Sequence, residues 1–396
     1  MLYLDWRLAE DVQRFEVLRI HDTKLSLGAN NAIKLSVRNR GRRRTALQVQ
    51  DEPPVEFFVS ERILSGEVNP RQTWQDSYQV VPNKRGDFQF GDVNLRWQGP
   101  FGLIIRQGKA DAQSKVKVYP NLLGIRQYDL VLRRNRLQEM GLRHSRQFGE
   151  GTEFERLREY LPDDPYRKID WKATARKARP ITVEYQTDRS QNLMVLLDIG
   201  RMSQSPVDKI AKLDYVINTA LLLAYVAIGK GDKVGLMTFA DEIGVYLSPQ
   251  QGKGQFYRIL ETLYPVRAQQ IEPDFSRAIS YLGRKLRKRS LVVIFTDLSG
   301  SLAIQDLIKN IAVLSKRSLP LVVTISDPKI NAASTQHPQD SFGAYQRSVA
   351  AQFLDQRRVA LDTLKYMGIL TLDVPANQLS VSVVNRYLEL KGKTLI

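Results

Sequence analysis

Leu193-Met194-Val195-Leu196-Leu197-Asp198 is the stretch of sequence that decides the fold of this protein. Five consecutive apolar residues do not alternate as they would in a strand with one wet face, and such a run is typical of a parallel strand covered on both faces. The run ends in an aspartate. Because open α/β sheets bind ligands at the carboxyl ends of their strands, we predict that Asp198 lies at a binding edge.

Strands and helices alternate from about residue 191 to residue 396. A helix is predicted from about Val207, because apolar residues recur with helical spacing and Gly229 and Gly231 follow them. The other apolar runs that predict strands are Val234 to Phe239, Gly244 to Leu247 as a short edge strand, Leu291 to Phe295, Leu319 to Ile325 and Ile369 to Val374. This alternation predicts a doubly wound α/β domain with a mostly parallel sheet over residues 191–396.

Residues 1–125 have a different pattern. Short runs such as Ala32 to Val37 and Trp74 to Val80 alternate between apolar and polar residues, with Gly, Pro and Asn between the runs. Period-two alternation predicts half-buried antiparallel strands, and the spacing of the turns favours an immunoglobulin-like all-β sandwich. Residues 126–190 are dense in both charge signs and are predicted to form a charged connector between the two domains.

Composition limits the environment of the chain. There is no cysteine, which excludes disulfides and thiolate chemistry and favours a reducing compartment. The sequence begins without a signal-peptide pattern, and its most apolar stretch, residues 220–228, is too short to cross a bilayer. We therefore expect a cytoplasmic protein, with the inner face of the cell membrane as an alternative location.

The formal net charge of +17 raises a second class of function, a basic protein that binds nucleic acid or an anionic membrane surface. The basic residues form short groups, such as Arg42 to Arg44 and Arg284 to Arg289, and no stripe with interleaved aromatic residues is visible. Sequence therefore keeps this function as an alternative and does not favour it.

Three short motifs resemble the von Willebrand A domain in the order in which that domain carries them. They are Asp198-Ile199-Gly200-Arg201-Met202, Gly231-Asp232-Lys233-Val234-Gly235-Leu236 and Phe295-Thr296-Asp297. In metal-bearing members of that family, the first aspartate, two serines, a distant threonine and the later aspartate hold Mg²⁺. The open position of the metal then takes a carboxylate from a partner protein.

This sequence departs from the metal-binding pattern at three positions. Gly200 and Met202 stand where the family has its serines, and Pro273 stands where it has its threonine. Asp198 and Asp297 remain, with Ser203 or Asp274 as substitute ligands nearby. The sequence thus predicts a degenerate metal site for Mg²⁺ and requires no cofactor.

The connector and the end of the chain resemble a bacterial family, the fifty-eighth domain of unknown function in its series. The resemblance spans nearly the whole chain. Its motifs are Lys84 to Gly86 and Pro100 to Leu103 in the β-domain, residues 149–160 and 163–176 in the connector, and the ending Val384 to Lys391. Members are typically encoded beside MoxR-type AAA+ ATPases, and a pair of membrane helices usually precedes their β-domain; this sequence shows none. The resemblance implies a non-enzymatic adaptor that helps a MoxR-type ATPase to assemble or mature client proteins.

The adaptor hypothesis assigns nine residues to partner binding at the sheet edge and in the connector. They are Asp198, Arg201, Ser203, Asp274 and Asp297 at the edge, and Arg167, Asp170, Trp171 and Arg176 in the connector. Trp171 is also interpreted as a packing anchor. A divalent-metal hydrolase or nuclease that uses Asp198, Asp297 and connector carboxylates remains an alternative, although no nucleophile-base pair or phosphate-binding loop is apparent.

Overall fold

The computed structural model describes residues 1–121, 148–149, 153–161, 166, 169–177, 179–186, 190–207, 210–298 and 301–393. The chain divides into two compact units, Met1–Gln127 and Tyr128–Ile396. Each unit contains its own set of fully buried apolar side chains. Whether the connector forms a domain of its own stays a prediction.

The first unit is an all-β sandwich preceded by one short helix. Its elements are α1 Leu2–Leu8, β1 Phe15–Ile20, β2 Lys24–Ser26, β3 Asn31–Asn39, β4 Thr45–Asp51, β5 Phe57–Val59, β6 Leu64–Val68, β7 Thr73–Pro82, β8 Gly86–Phe90, β9 Val93–Gln98, β10 Ile105–Ala110 and β11 Ser114–Tyr119. Two antiparallel sheets have the orders β1-β3-β7-β5 and β10-β9-β4-β6, and a third has the order β2-β11-β8. The predicted β-sandwich is confirmed.

A buried polar group ties two of these sheets together. Arg19 of β1 donates through Nε to Asp51 Oδ2 of β4 at 2.9 Å and makes a second contact through its other nitrogen. The hydroxyl of Tyr78 in β7 donates to the same Asp51 oxygen at 2.6 Å. Burial and the neighbouring carboxylate raise the pKa of Tyr78, so its hydroxyl keeps the proton that it donates. Arg19 and Tyr78 of one sheet therefore hold Asp51 of the other.

The described part of the connector is a small sheet with one helix. Its elements are β12 Phe148–Gly149, β13 Glu153–Glu159, α2 Trp171–Lys177 and β14 Ile181–Gln186, and the sheet order is β12-β14-β13 with antiparallel pairing.

The remainder of the second unit is an α/β domain with a mixed, mostly parallel sheet. Its elements are β15 Asn192–Asp198, β16 Pro206–Val207, β17 Ile210–Ala211, α3 Lys212–Gly229, β18 Lys233–Phe239, β19 Ile243–Gln250, α4 Lys253–Leu263, α5 Phe275–Lys285, β20 Leu291–Phe295, α6 Ser301–Ser315, β21 Leu319–Ser326, α7 Pro328–Thr335, α8 Ser341–Tyr366, β22 Leu370–Pro375 and α9 Leu379–Gly392. Short 3₁₀ helices lie at Arg201–Gln204 and Ala376–Gln378 in this domain and at Val12–Arg14 in the first unit. The sheet order is β19-β18-β15-β20-β21-β22, and β19 is its antiparallel edge strand.

Both faces of the central strand β15 are covered, as its apolar run predicts. All five residues Leu193 to Leu197 are essentially inaccessible to solvent. Met194 and Leu196 belong to a core cluster with residues of α5, α6 and α8, whereas α3, which packs against α9, contacts β15 and β18.

The predicted start of the first helix, at about Val207, is wrong by five residues. Pro206 and Val207 pair with Ala211 and Ile210 as a two-residue antiparallel ladder, and α3 begins only at Lys212. The amide of Lys212 donates to the carbonyl oxygen of Ser205 at 3.0 Å, which closes this ladder. The apolar residues before Lys212 imitate helical spacing but belong to strands β16 and β17.

Helix α3 is the one described helix that is long and apolar enough to cross a bilayer. In this fold 61% of that stretch is buried inside the domain, which is typical of a core helix.

The Gly231-Asp232 motif has a structural function. Asp232 is fully buried, and it accepts hydrogen bonds from the Tyr387 hydroxyl at 2.6 Å, from Lys391 Nζ at 2.6 Å and from the amide of Gln191 at 3.1 Å. Tyr387 and Lys391 lie in α9, so this carboxylate fixes the last helix to the turn before β18. The motif Val384 to Lys391 at the end of the chain thus contacts the Gly231-Asp232 motif directly.

Candidate functional site

The strand order places β15 and β20 side by side at the centre of the sheet. From β15 the chain continues to β18 on one side, and from β20 it continues to β21 on the other side. The carboxyl ends of β15 and β20 are therefore the point at which the winding reverses, where doubly wound sheets form a crevice. Asp198 ends β15, and Thr296 and Asp297 directly follow β20.

Asp198 is 5% exposed, and both oxygens of its carboxylate have partners. Oδ1 accepts from the amide of Gly200 at 2.8 Å, and Oδ2 accepts from the Thr296 hydroxyl at 2.7 Å. Burial, helped by the negative charges of Asp297 and Glu272, raises the pKa of Asp198 from 3.8 to about 6, although the two hydrogen bonds lower it. Asp198 is thus a buried acid that is held in place by its own loop and by the end of β20.

Asp297 is held by two cations. Lys212 Nζ lies 2.5 Å from Asp297 Oδ2, and an Arg357 nitrogen lies 3.5 Å from Asp297 Oδ1. The three side chains are between 6% and 8% exposed. Taking these charged groups out of water carries a large desolvation free energy. Close contacts between opposite charges, together with further hydrogen bonds, are needed to offset it.

Arg357 supplies those further hydrogen bonds. It lies in α8, donates to the Thr324 hydroxyl of β21 at 2.8 Å, and binds both oxygens of Asp373 in β22, at 2.7 Å and 3.3 Å. One guanidinium therefore joins Asp297 to the two outer strands. We call these groups the edge cluster; its members are Asp198, Lys212, Thr296, Asp297, Thr324, Arg357 and Asp373.

The edge cluster does not fit a Mg²⁺ ion. Such an ion takes about six oxygen ligands in octahedral geometry. The oxygens of Asp198 are occupied by an amide and a hydroxyl, and Asp297 faces an ammonium and a guanidinium. Within the described ranges, no group of three or more His, Cys, Asp or Glu side chains is placed to hold a metal. Asp198 and Asp297 therefore lie together, as predicted, but without the ligand set of a metal site.

The backbone around Gly200 also excludes a hydroxyl ligand there. A Cβ atom at Gly200 would lie 2.9 Å from the carbonyl oxygen of Ile271 and 3.1 Å from Cδ of Pro273. A serine would collide with the carbonyl oxygen of Ile271 and press against the ring of Pro273, so this loop would have to shift. The glycine and the proline that replace two of the family's hydroxyl residues are thus in contact with each other, and together they close this part of the edge.

The remaining residues predicted for the sheet edge have different environments. Ser203 is buried, and its hydroxyl donates to the carbonyl oxygen of Asp198 at 2.6 Å, which gives it a role inside the loop. Asp274 caps α5 by accepting from the amide of Arg277 at 2.8 Å. Arg201 is exposed and forms an ion pair with Glu272. Arg201 and Asp274 are accessible to a partner, and partner binding by any of these residues stays a prediction.

The connector residues were predicted as a charged partner surface. Asp170 caps α2, since its Oδ1 accepts from the amides of Lys172 and Ala173, each at 3.0 Å. Trp171 is 69% exposed, so its interpretation as a packing anchor is wrong, because its ring does not enter a core. Arg176 is exposed, and Arg167 lies outside the described residues.

Sequence reasoning missed the two cations of the edge cluster. Lys212 has no visible signal, because the predicted helix begins at about Val207 and only the observed start of α3 puts this lysine in the first turn, where it opposes the helix dipole. Arg357 does have a signal. Positions 350, 357, 361 and 364 follow one another at intervals of seven, four and three residues and so lie on one face of the helix. Ala350, Leu361 and Leu364 are buried apolar residues, and Arg357 interrupts the apolar stripe that they form.

A match to a known protein family covers part of the connector and most of the α/β domain. Residues 156–333 match the family described as "Protein of unknown function DUF58". The chain contains a DUF58 domain. The match includes Asp198, Lys212 and Asp297 but ends before Arg357 and Asp373, so the edge cluster joins the DUF58 match to the helix and strand that follow it.

Two bacterial proteins are similar to about half of this chain. Uncharacterized protein YeaD of Bacillus subtilis is 26% identical over 226 residues, which are 56% of this chain and 54% of that protein. Uncharacterized protein Rv1480 of Mycobacterium tuberculosis is 23% identical over 183 residues, 46% of this chain and 57% of that protein. The matches thus span little more than half the length of these relatives.

Two solved structures are each similar to only a part of the chain. The protein BatB from Bacteroides thetaiotaomicron is 12% identical, with 52% of this chain and 100% of that chain covered and a TM-score of 0.35. The CARDB domain of PF1109 from Pyrococcus furiosus is 12% identical, with 26% of this chain and 94% of that chain covered and a TM-score of 0.19.

Proposed function

We propose that this protein is a non-enzymatic adaptor that works with a MoxR-type AAA+ ATPase in the assembly or maturation of client proteins. Its α/β domain is, in this proposal, a von Willebrand A-like domain whose carboxyl edge binds protein. The observation that carries the proposal is the edge cluster, in which every described carboxylate at the centre of the edge is engaged by groups of the same chain.

Engaged carboxylates suit binding better than catalysis. A general base must reach a substrate proton, and a metal-activating carboxylate must face an ion. Asp198 and Asp297 instead accept hydrogen bonds from Thr296 and Lys212, and their side chains are nearly inaccessible. The carboxylates of the edge are therefore held within the chain, which suits a docking surface formed by the loops around them.

The sheet supports a von Willebrand A-like domain. The order β19-β18-β15-β20-β21-β22 with one antiparallel edge strand brings two of the three motifs that resemble that domain together. Asp198 and Thr296 are in direct hydrogen-bond contact although they are 98 residues apart in sequence. The third motif, Gly231-Asp232, lies at the start of β18 and holds α9.

An exposed apolar stripe offers a surface for a partner. In the first half of α8, Phe342, Tyr345 and Val349 are exposed at 65%, 68% and 47%, and their spacing puts them on one side of the helix. Exposed apolar side chains in a row are more typical of a protein-binding surface than of a solvated helix.

Reconstitution tests the proposal. The purified chain is mixed with the AAA+ ATPase encoded beside its gene, and complex formation and ATP hydrolysis are measured with and without the chain. We expect a complex that survives moderate ionic strength and a changed rate of hydrolysis. Arg201→Glu should weaken the complex, whereas Arg358→Glu, at an exposed site on α8, is the matched control.

Other outcomes would identify the alternatives. The absence of an AAA+ gene nearby, together with no such ATPase in a pull-down, rejects the adaptor. Hydrolysis of a substrate that requires Mg²⁺ or Mn²⁺ and is lost in Asp198→Ala would make the protein a metal-dependent hydrolase or nuclease. Binding to nucleic acid or anionic vesicles that falls steeply with salt would indicate the basic binder.

A further inference from the structure

Lys212 occupies an unfavourable place for a lysine. It is the first residue of α3, where the helix dipole repels a positive charge, and it is 6% exposed. Burying an ammonium costs several kcal/mol unless a counter-charge is in direct contact. Asp297 is that counter-charge, at 2.5 Å.

The surroundings of Lys212 are those of a cation site. Asp198 accepts a hydrogen bond from the hydroxyl of Thr296, and Asp297 is the next residue after Thr296 and contacts the ammonium, so two acidic groups lie at the same pair of strand ends. Arg357 adds a second positive charge at 3.5 Å from Asp297. Two converging carboxylates in a buried place need positive charge between or beside them, whether it comes from an ion or from a side chain.

We propose that Lys212, supported by Arg357, is the resident cation of the sheet edge and takes the place of a divalent ion. The α/β domain then needs no metal ion to fold or to hold the loops at this edge in place. This inference does not depend on the ATPase partnership, because it concerns the charge balance of the domain and not its partner.

Removal of Lys212 should open a site for an ion. Lys212→Ala removes the cation that lies 2.5 Å from Asp297 and leaves space where the ammonium was. We expect the melting temperature of this variant to fall and then to rise by at least about 3 °C in 5 mM MnCl₂, as for a ligand that binds the folded state at below millimolar concentration. The melting temperature of the unchanged full chain should not respond to MnCl₂ or to EDTA.

Two variants separate ion binding from general effects. Lys391→Ala removes the ammonium from another buried carboxylate, Asp232, and should gain no more from MnCl₂ than the unchanged chain. Lys212→Gln keeps a hydrogen-bond donor for Asp297 without the charge. It should be destabilised, because the charge is what the carboxylate needs.

The outcomes are distinct. Binding of Mn²⁺ to the unchanged chain below about 1 mM, measured by electron paramagnetic resonance, would overturn the proposal, since an ion would then share the site. A Lys212→Ala chain that MnCl₂ neither refolds from urea nor stabilises beyond Lys391→Ala would overturn it as well. So would a Lys212→Gln chain as stable as the unchanged one.

Discussion

At the scale of the residue, charge balance is the main property of the edge cluster. Asp198, Asp297 and Asp373 bring three carboxylates to the cluster, and Lys212 and Arg357 bring two cations. One acidic group is in excess. Asp198 has no cation among its hydrogen-bond partners, and its pKa rises to about 6, chiefly because burial disfavours the charged form and to a smaller extent because Asp297 and Glu272 are negatively charged.

The raised pKa of Asp198 predicts how stability depends on pH. Since the folded-state pKa is about 6 and the ordinary value is 3.8, the folded state holds this proton more tightly than the unfolded state. The contribution of Asp198 is therefore fully present below about pH 4 and is lost as the pH rises through 6. Asp198→Asn should remove this dependence.

Urea unfolding of both chains across this pH range tests that expectation. The stability of the original chain relative to Asp198→Asn should fall by about 2 to 3 kcal/mol between pH 4 and pH 7.5. Other titrating groups are common to both chains and cancel in the difference. A difference that is independent of pH would contradict the raised pKa.

The residues of this site were only partly predictable. Asp198 and Asp297 follow from a general rule, since each comes directly after an apolar strand of a parallel sheet. Lys212 and Arg357 do not follow from any rule about strands, because they come from helices whose packing on the edge depends on tertiary structure. Trp171 was misjudged because large aromatic side chains are usually buried, whereas this one stands at the start of an exposed helix.

At the scale of the element, α9 depends on one polar contact as well as on its apolar face. Val383, Val384 and Leu388 are buried, and Tyr387 reaches past them to the carboxylate of Asp232. The sequence pattern predicted that the end of the chain closes the domain. It could not predict the partner of Tyr387, which lies 155 residues away in sequence.

Loss of the Tyr387 hydroxyl should destabilise the α/β domain. A hydrogen bond to a charged group contributes about 1.5 to 3 kcal/mol, so Tyr387→Phe should lower the free energy of unfolding by about that amount. Tyr366→Phe is the matched control, since Tyr366 is 95% exposed at the end of α8, and it should change stability by less than about 0.5 kcal/mol. Equal effects of the two substitutions would mean that the contact with Asp232 does not stabilise the fold.

At the scale of the whole molecule, two patterns of hydrophobicity predict two kinds of core. Period-two alternation before residue 120 gives strands with one buried face, as in β4, where buried positions alternate regularly. Continuous apolar runs after residue 190 give strands buried on both faces, as in β15 and β20. The exact pairing of the strands was beyond sequence reasoning, because register depends on contacts between distant segments, such as that of Arg19 with Asp51.

Two cores predict two unfolding transitions. Arg19→Met removes the guanidinium that pairs with the buried Asp51 in the β-sandwich, and Arg357→Met removes the guanidinium that pairs with Asp373 and, beside Lys212, with Asp297 in the α/β domain. Loss of one partner of a buried pair costs about 3 to 5 kcal/mol, which lowers a melting temperature by roughly 10 °C in units of this size. By scanning calorimetry, we expect each substitution to lower one transition and to leave the other in place. If either substitution lowers both transitions together, the two units Met1–Gln127 and Tyr128–Ile396 unfold as one cooperative body and not as two.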